Sequence, residues 1–325
     1  MEVAAHDHAP RVIAAAAYEV AFLSLIDSLA CAFKALQDPA CTRLLGSLVP
    51  GATMAFGARV PGTSHQLDPV QAAFNIGTMA SWLQANDPAL ATASGPLADN
   101  FGAILAVADY RARMAIAEGE SPPRVRDLLA ALIRAHELAS LEWTWSIHRN
   151  EAAWVTKGTQ TVAGATARCA LTRIASAACA VSLLGGTRDQ VAAAIAIARS
   201  EMQATGRQST APNLDGHEQW RIGDATSRGV RLAFIALAGQ TAPRSPSPPS
   251  AEVTMQLAVM AELDQNWRTV AALPAVAGRV RDRFAASVAA NFPAVQAGKL
   301  AAMFADRANL EAIPVNELVS MTVRN

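Results

Sequence analysis

The chain has 325 residues, of which 52% are hydrophobic, so it carries enough apolar side chains to bury a substantial core. Its 27 lysines and arginines balance 27 aspartates and glutamates, so no excess charge favours nucleic acid or an anionic membrane as a partner. The acidic start MEVAAHDHAP, together with the lack of an apolar run of ~20 residues, predicts a soluble protein of the cytoplasm, with a mitochondrial location as the alternative.

Most of the chain is predicted to be helical, because alanine is abundant and apolar residues recur at three- and four-residue spacing. The predicted helices begin and end near Ala14–Leu36, Pro69–Leu83, Asn100–Ala117, Arg124–Trp143, Ile174–Leu184, Gln190–Ala204, Asp224–Ala238 and Val276–Ala290. Proline and glycine interrupt the pattern between them. The sequence therefore predicts a mainly α protein.

A stretch rich in proline and serine, TAPRSPSPPS, divides this helical pattern. Its composition is typical of a linker, since it is too polar and too often interrupted by proline to pack. The predicted organisation is a helical domain at residues 1–240, a linker at 241–253 and C-terminal helices at 254–325 that complete the helical domain.

The four cysteines contain no CxxC pair, and they are Cys31, Cys41, Cys169 and Cys179. Such isolated thiols are typical of buried structural cysteines in a reducing compartment. The sequence therefore predicts no metal site.

Six stretches, in the same order along the chain, resemble the MmgE/PrpD family of 2-methylcitrate dehydratases. The longest is GARVPGTSHQLDPVQAAFNIGTMASWL, Gly57 to Leu83. The others are LIDSLACAFKALQDPACTRLLG, DNFGAILAVADY, LLGGTRDQV, GDATSRGVRLA and LEAIPVNEL. The resemblance implies a large all-α domain, usually a homodimer, followed by a smaller α/β lid domain.

Two departures from the family pattern stand out. The chain passes from the linker directly to the family's last helices, so the α/β lid domain is expected to be missing. The segment from Trp143 to Ala167 is similar to nothing in the family and is interpreted as an insert.

Eliminating water from a tricarboxylate requires a base, an acid and groups that bind carboxylates, and the resemblance implies that side chains supply all of these without a metal or organic cofactor. Several residues that the family uses are replaced here. Gln84 stands at a family aspartate position and Pro88 at a family threonine position. Pro96 and Arg168 stand at two family histidine positions, and Glu218 stands at a family lysine position. We therefore expect ordinary dehydratase activity to be impaired or lost.

The polar family residues that survive are Asp87, Asp99, Asn100 and Asp224. Each has two interpretations. Asp99 and Asn100 are interpreted as a helix N-cap pair, with substrate binding as the alternative. Asp224 is interpreted as an N-cap in the same way, and Asp87, which precedes a proline, as a turn residue or a substrate contact.

A further cluster lies at a former active-site position, where His217 and Glu218 are followed by Arg221. An imidazole, a carboxylate and a guanidinium so close together are a candidate site. His217 and Glu218 are the predicted catalytic residues, and Arg221 is a predicted substrate-binding residue. His148, in the insert, is interpreted as a loop histidine.

Three hypotheses follow. The first is a dehydratase acting on 2-methylcitrate or another alkylcitrate, for instance in a secondary-metabolite pathway. The second is a non-catalytic copy that forms a heterodimer with a full-length paralogue instead of a homodimer. The third is an incorrect gene model at the insert and the missing lid.

Overall fold

The structure is a computed structural model that describes residues 13–92, 95–148, 162–205, 219–242, 249–272 and 274–323. The described residues are mainly α-helical. The helices are α1 (Ala15–Ala35), α2 (Pro39–Thr42), α3 (Pro69–Ser81), α4 (Phe101–Ala117), α5 (Val125–His148), α6 (Val162–Leu183), α7 (Arg188–Thr205), α8 (Arg221–Leu237), α9 (Pro249–Ala271), α10 (Pro274–Asn291), α11 (Ala294–Met303), α12 (Arg307–Ala312) and α13 (Val315–Met321). The predicted mainly α fold is confirmed.

The strands in the described residues form two short antiparallel hairpins. Strand β1 (Ala58–Arg59) pairs with β2 (Gln66–Leu67), and β3 (Ala91–Thr92) pairs with β4 (Gly95–Pro96). Short 3₁₀ helices, Pro88–Leu90 and Leu97–Asn100, flank the second hairpin. This hairpin lies in the segment that carries the predicted site residues.

Helix α1 lies at the centre of the fold, where it packs against α3, α5, α9 and α10. Within the described residues it is the helix that is long and apolar enough, by length and composition alone, to cross a bilayer. The expectation that no apolar run reaches such a length is therefore wrong. However, 89% of its most apolar window is buried inside the protein, as expected for a core helix that is hydrophobic on all sides.

Three helices approach one another at glycines. A Cβ atom on Gly102 of α4 would lie 2.6 Å from the backbone nitrogen of Gly77 in α3. A Cβ atom on Gly77 would lie 2.9 Å from the Cα atom of Gly223 in α8. Since real Cβ atoms do not approach other atoms so closely, glycine at these positions sets the spacing of α4, α3 and α8.

Aspartates followed by proline begin two of the helices. Asp38 and Asp68 accept hydrogen bonds from backbone N–H groups of the first turns of α2 and α3, and a proline occupies the first turn of each. Asp224 does not have this position. Helix α8 begins at Arg221, so Asp224 lies exposed in its first turn, and the N-cap prediction for Asp224 is wrong.

Helix α9 begins at Pro249, so residues 249–253 of the predicted linker lie inside a helix. The linker prediction is wrong for those residues, while residues 243–248 lie outside the described part of the chain. Helices α9 and α10 both pack against α1. The division of the chain into domains otherwise stays a prediction.

The first residues of the predicted insert continue helix α5, which ends at His148. Trp145 is buried, and the guanidinium carbon of Arg199 in α7 lies 5.2 Å from its ring centroid. Arg199 also forms a bidentate ion pair with Glu142. Residues 149–161 of the insert lie outside the described residues, as does the side chain of His148.

Candidate active site

Helix α8 packs against both α3 and α6, and segments that carry predicted site residues meet near the ends of these helices. The hydroxyl of Ser81, at the end of α3, donates to the carbonyl of Gln219 at 3.3 Å. The thiol of Cys169, near the start of α6, lies 3.9 Å from the carbonyl oxygen of Arg221. Asp99, Asn100 and Arg221 therefore lie near the same end of α6, whereas Asp87 has its partners in α1 and α10, and His217 and Glu218 lie outside the described residues.

Asp99 forms a bidentate ion pair with Arg168. The Nε of Arg168 donates to Oδ2 of Asp99 at 2.5 Å, and its Nη2 donates to Oδ1. The aspartate side chain is 6% exposed and that of the arginine 28%. Both oxygens of this carboxylate thus accept hydrogen bonds from Arg168, the residue predicted to stand at a family histidine position.

Asn100 reaches across to the same helix. Its side-chain amide donates to the carbonyl of Thr172 and to the hydroxyl of Ser176, both at 2.9 Å. Asn100 precedes the first residue of α4, but its side chain forms no capping hydrogen bond. Asn100 therefore has the predicted N-cap position but does not cap α4 through its side chain, and the capping prediction is wrong for Asp99, because α6 supplies the partners of both side chains.

Glycine is required where the second hairpin meets this ion pair. Gly95 has φ +121°, and a Cβ atom there would lie 2.8 Å from Oδ2 of Asp99. Such a conformation and such a contact both favour glycine. The hairpin thus packs directly against the Asp99–Arg168 ion pair.

Asp87 is a turn residue, as predicted, since its carboxylate accepts from the backbone N–H of Ala89 at the start of a 3₁₀ helix. The same carboxylate accepts two hydrogen bonds from Arg279 of α10, at 3.0 and 3.1 Å. Burial acts to raise the pKa of Asp87, but these hydrogen bonds and the positive charges of Arg279 and Arg283 lower it overall. Its predicted role in binding substrate stays untested.

The loop that carries Asp87 is also fixed to α1 and α10. The backbone N–H of Asp87 donates to the buried carboxyl of Asp27 at 2.9 Å. Arg283 lies 3.1 Å from the other oxygen of Asp27 and donates to the carbonyl of Ala85. Burial raises the pKa of Asp27. The loop is therefore positioned by a cluster of two carboxyl groups and two arginines.

Three of the positions predicted to have lost a family side chain lie in the described residues of this segment. Gln84 is exposed and has φ +46°, a left-handed conformation that is uncommon for residues other than glycine. Pro88 lies in a 3₁₀ helix and Pro96 in β4. None of these three side chains is titratable, and the loss of the family groups stays a prediction.

Cys169 is half-buried beside the Asp99–Arg168 ion pair. Burial raises the pKa of its thiol, and the charge of Asp99 acts in the same direction. The other three cysteines are buried, and all four thiols are free. The predicted buried structural cysteines are confirmed, with Cys169 less buried than the rest.

The structure adds one residue that the sequence analysis did not single out, His136. Its Nε2 atom lies 3.1 Å from the hydroxyl of Thr92, in β3 of the second hairpin. Burial lowers the pKa of His136 to about 4. The helical spacing contained the signal, because His136 follows Leu129 and Leu132 on the apolar face of α5.

The stability of the protein is expected to depend on pH through His136. Because its pKa of about 4 in the folded protein lies below the ordinary value of 6.5, the unfolded chain binds a proton that the folded chain excludes. The free energy of unfolding should therefore keep its full value above pH 6.5 and fall by about 2–3 kcal/mol between pH 6.5 and pH 4.

Urea unfolding of the wild type and of His136→Gln across this range would measure the effect. Glutamine can still bond Thr92 but does not titrate, so the variant is expected to lose less stability on acidification. Parallel curves for the two proteins would contradict the prediction.

Among the described residues, no group of three or more His, Cys, Asp or Glu side chains is arranged to hold a metal ion.

The sequence profile of the MmgE/PrpD N-terminal domain matches residues 3–261. A 2-methylcitrate dehydratase of Cupriavidus necator is 44% identical over 227 residues, and one of Salmonella typhimurium is 42% identical over 224 residues. An alkylcitrate dehydratase of a fungal species is 34% identical over 234 residues. The matches cover 69% to 70% of this chain but span only 44% of the length of each relative.

Proposed function

The chain belongs to the MmgE/PrpD family, and we propose that it is a 2-methylcitrate or alkylcitrate dehydratase-like protein whose ordinary activity is impaired or lost. The elimination would act on a tricarboxylate and use side chains without a metal or organic cofactor. The fungal relative that is named an alkylcitrate dehydratase supports an alkylcitrate as the substrate class. A role in a secondary-metabolite pathway is the corresponding proposal for its biological setting.

The observation that carries the proposed loss is the ion pair between Asp99 and Arg168. A general base must reach the substrate proton with an oxygen that is free to accept it. Both oxygens of Asp99 already accept hydrogen bonds from Arg168. A bidentate pair between a carboxylate and a guanidinium is among the stronger hydrogen-bonded arrangements, so releasing Asp99 for catalysis would require breaking it.

A second surviving carboxylate, that of Asp87, is occupied in a similar way. Asp87 accepts hydrogen bonds from Ala89 and from Arg279, and its side chain is buried. Gln84, Pro88 and Pro96 offer no acid or base to replace it. The remaining candidates for chemistry are His217 and Glu218, with Arg221 to bind a carboxylate.

A dehydratase assay tests the proposal. Purified protein and the Cupriavidus necator relative would be incubated separately with 2-methylcitrate while the ultraviolet absorbance of the enediacid product is recorded. We expect a rate at least ~10²-fold below that of the relative, because loss of one general acid or base typically lowers a rate by that factor or more.

A rate within about tenfold of the relative would contradict the proposed loss. In that case, His217→Ala and Glu218→Gln would show whether these two residues had taken over the chemistry. Asp264→Asn, in the exposed part of α9, is a matched control that should leave any activity unchanged.

A second candidate function is a non-catalytic partner of a full-length relative. The observation in its favour is a set of exposed apolar side chains in one loop, namely Leu44, Leu48, Val49 and Phe56. Clusters of this kind are typical of protein interfaces. In the same assay, adding this chain to the relative would change the rate of the relative if the two proteins associate.

A further inference from the structure

Two arginines from different elements converge on the hydroxyl of Ser320. Arg59, in β1, donates through Nη1 to the oxygen of Ser320 at 3.4 Å. Arg113, in α4, donates through Nη2 to the same oxygen at 3.1 Å. Ser320 lies in α13 and is half-buried. A neutral hydroxyl thus occupies a position where two guanidinium groups would ordinarily bind an anion.

The surroundings leave this position with an excess of positive charge. The buried carboxyl of Asp109 accepts from the backbone N–H of Arg59 at 2.8 Å and from Nε of Arg113 at 2.9 Å. Only one of its oxygens takes part, and the other is buried without a hydrogen bond. Two guanidinium groups therefore face a single carboxyl, and that carboxyl has its pKa raised by burial.

Asp109 also fixes the geometry of the two arginines. It accepts from the backbone N–H of Arg59 and from Nε of Arg113, while Nη1 of Arg59 and Nη2 of Arg113 donate to Ser320. Arg113 additionally donates to the carbonyl of Asn316, one turn earlier in α13. The donors are thus held in place before any anion arrives, which lowers the entropic cost of binding one.

We propose that Arg59, Arg113 and Ser320 form a phosphate-receiving site, and that its occupant is Ser320 phosphorylated on its hydroxyl oxygen. In the transfer, this oxygen attacks the terminal phosphorus of a nucleoside triphosphate. The new O–P bond forms as the bond to the leaving nucleoside diphosphate breaks, and a protein kinase accepts the hydroxyl proton. The phosphoryl group then lies between the two guanidinium groups and fixes α13 to α4 and β1.

Access to Ser320 is compatible with this step. Helix α13 is only seven residues long, and local opening of a short helix requires less free energy than unfolding of the whole domain. Glu317, three residues earlier in the same helix, is exposed to water, which screens its repulsion of a phosphate. The phosphate would meet two cations on the protein side.

The full-length chain with phosphoserine encoded at position 320 tests the proposal by thermal unfolding. We expect its melting temperature to exceed that of the unmodified chain by roughly 2–4 °C, because the two guanidinium groups then bond a phosphate anion instead of a neutral hydroxyl. In an Arg59→Gln background the increase should be clearly smaller, since that side chain loses its charge while its backbone bond to Asp109 remains. Phosphoserine at the exposed Ser200 is the matched control and should give no increase.

Three outcomes would overturn the proposal. The first is a melting temperature that falls, or rises equally with and without Arg59. The second is an unmodified chain that is stabilised by inorganic phosphate at constant ionic strength through Arg59, because free phosphate would then be the occupant. The third is protein purified from its native cells in which the peptide containing Ser320 carries no phosphate.

Discussion

Replacing Asp27 with alanine is expected to destabilise the protein by ~3–5 kcal/mol. The carboxyl of Asp27 is buried and accepts from the backbone N–H of Asp87 and from the side chain of Asn86, at 2.9 and 3.2 Å. Its other oxygen lies 3.1 Å from Arg283. Alanine would leave these donors without their acceptor in a buried position, and unpaired buried groups are more destabilising than the loss of an exposed pair.

Urea unfolding at neutral pH would measure this effect against Asp264→Ala. Asp264 pairs with Arg268 four residues later on α9, and the arginine side chain is largely exposed. Removing such a surface pair is expected to change stability by less than ~1 kcal/mol. Similar effects for the two substitutions would show that the cluster around Asp27 does not hold α1, the loop at residues 84–88 and α10 together.

The helical architecture could be predicted from the sequence because its signals are local. Alanine-rich segments with apolar residues at helical spacing became helices, and proline and glycine marked the ends. The beginning of α9 was missed because a proline-rich stretch was interpreted as a linker throughout. Pro249 is the first residue of that helix, where its missing N–H group has no hydrogen bond to lose.

The candidate site could be predicted only in part, because its contacts join residues far apart in the chain. The sequence indicated Asp99 and Asn100 but assigned them to local capping. Their partners, Arg168, Thr172 and Ser176, lie about 70 to 76 residues later and recur at four-residue spacing on one face of α6. No local pattern predicts which distant helix supplies such partners.

The N-cap prediction for Asp224 was wrong for a related reason, since α8 begins three residues before it. The helix extends back to Arg221 because Gly223 lets its first turn approach α3, where a Cβ atom would lie 2.7 Å from the carbonyl oxygen of Phe74. The sequence showed this glycine as part of a family motif, but not the helix that it contacts. The close approach also brings Arg221 beside the segment that carries Asp99.

Replacing Gly102 with alanine is expected to destabilise the protein by at least ~3 kcal/mol, at the upper end of the usual range for overpacking. The added methyl group would lie 2.6 Å from the backbone nitrogen of Gly77 and 2.7 Å from the carbonyl oxygen of Ala73. Both neighbours are backbone atoms of α3, which cannot rotate away as a side chain would. Helices α3 and α4 would have to separate.

Gly278→Ala in α10 is the matched control. It also lies in a helix, but a Cβ atom there has no neighbour within 4 Å, so alanine should stabilise the protein by about 0.5–1 kcal/mol. The two substitutions add the same methyl group and are predicted to have opposite signs in urea unfolding. If Gly102→Ala proved neutral, α3 and α4 could move apart freely, and the spacing that brings Asp99 and Asn100 to α6 would not depend on this contact.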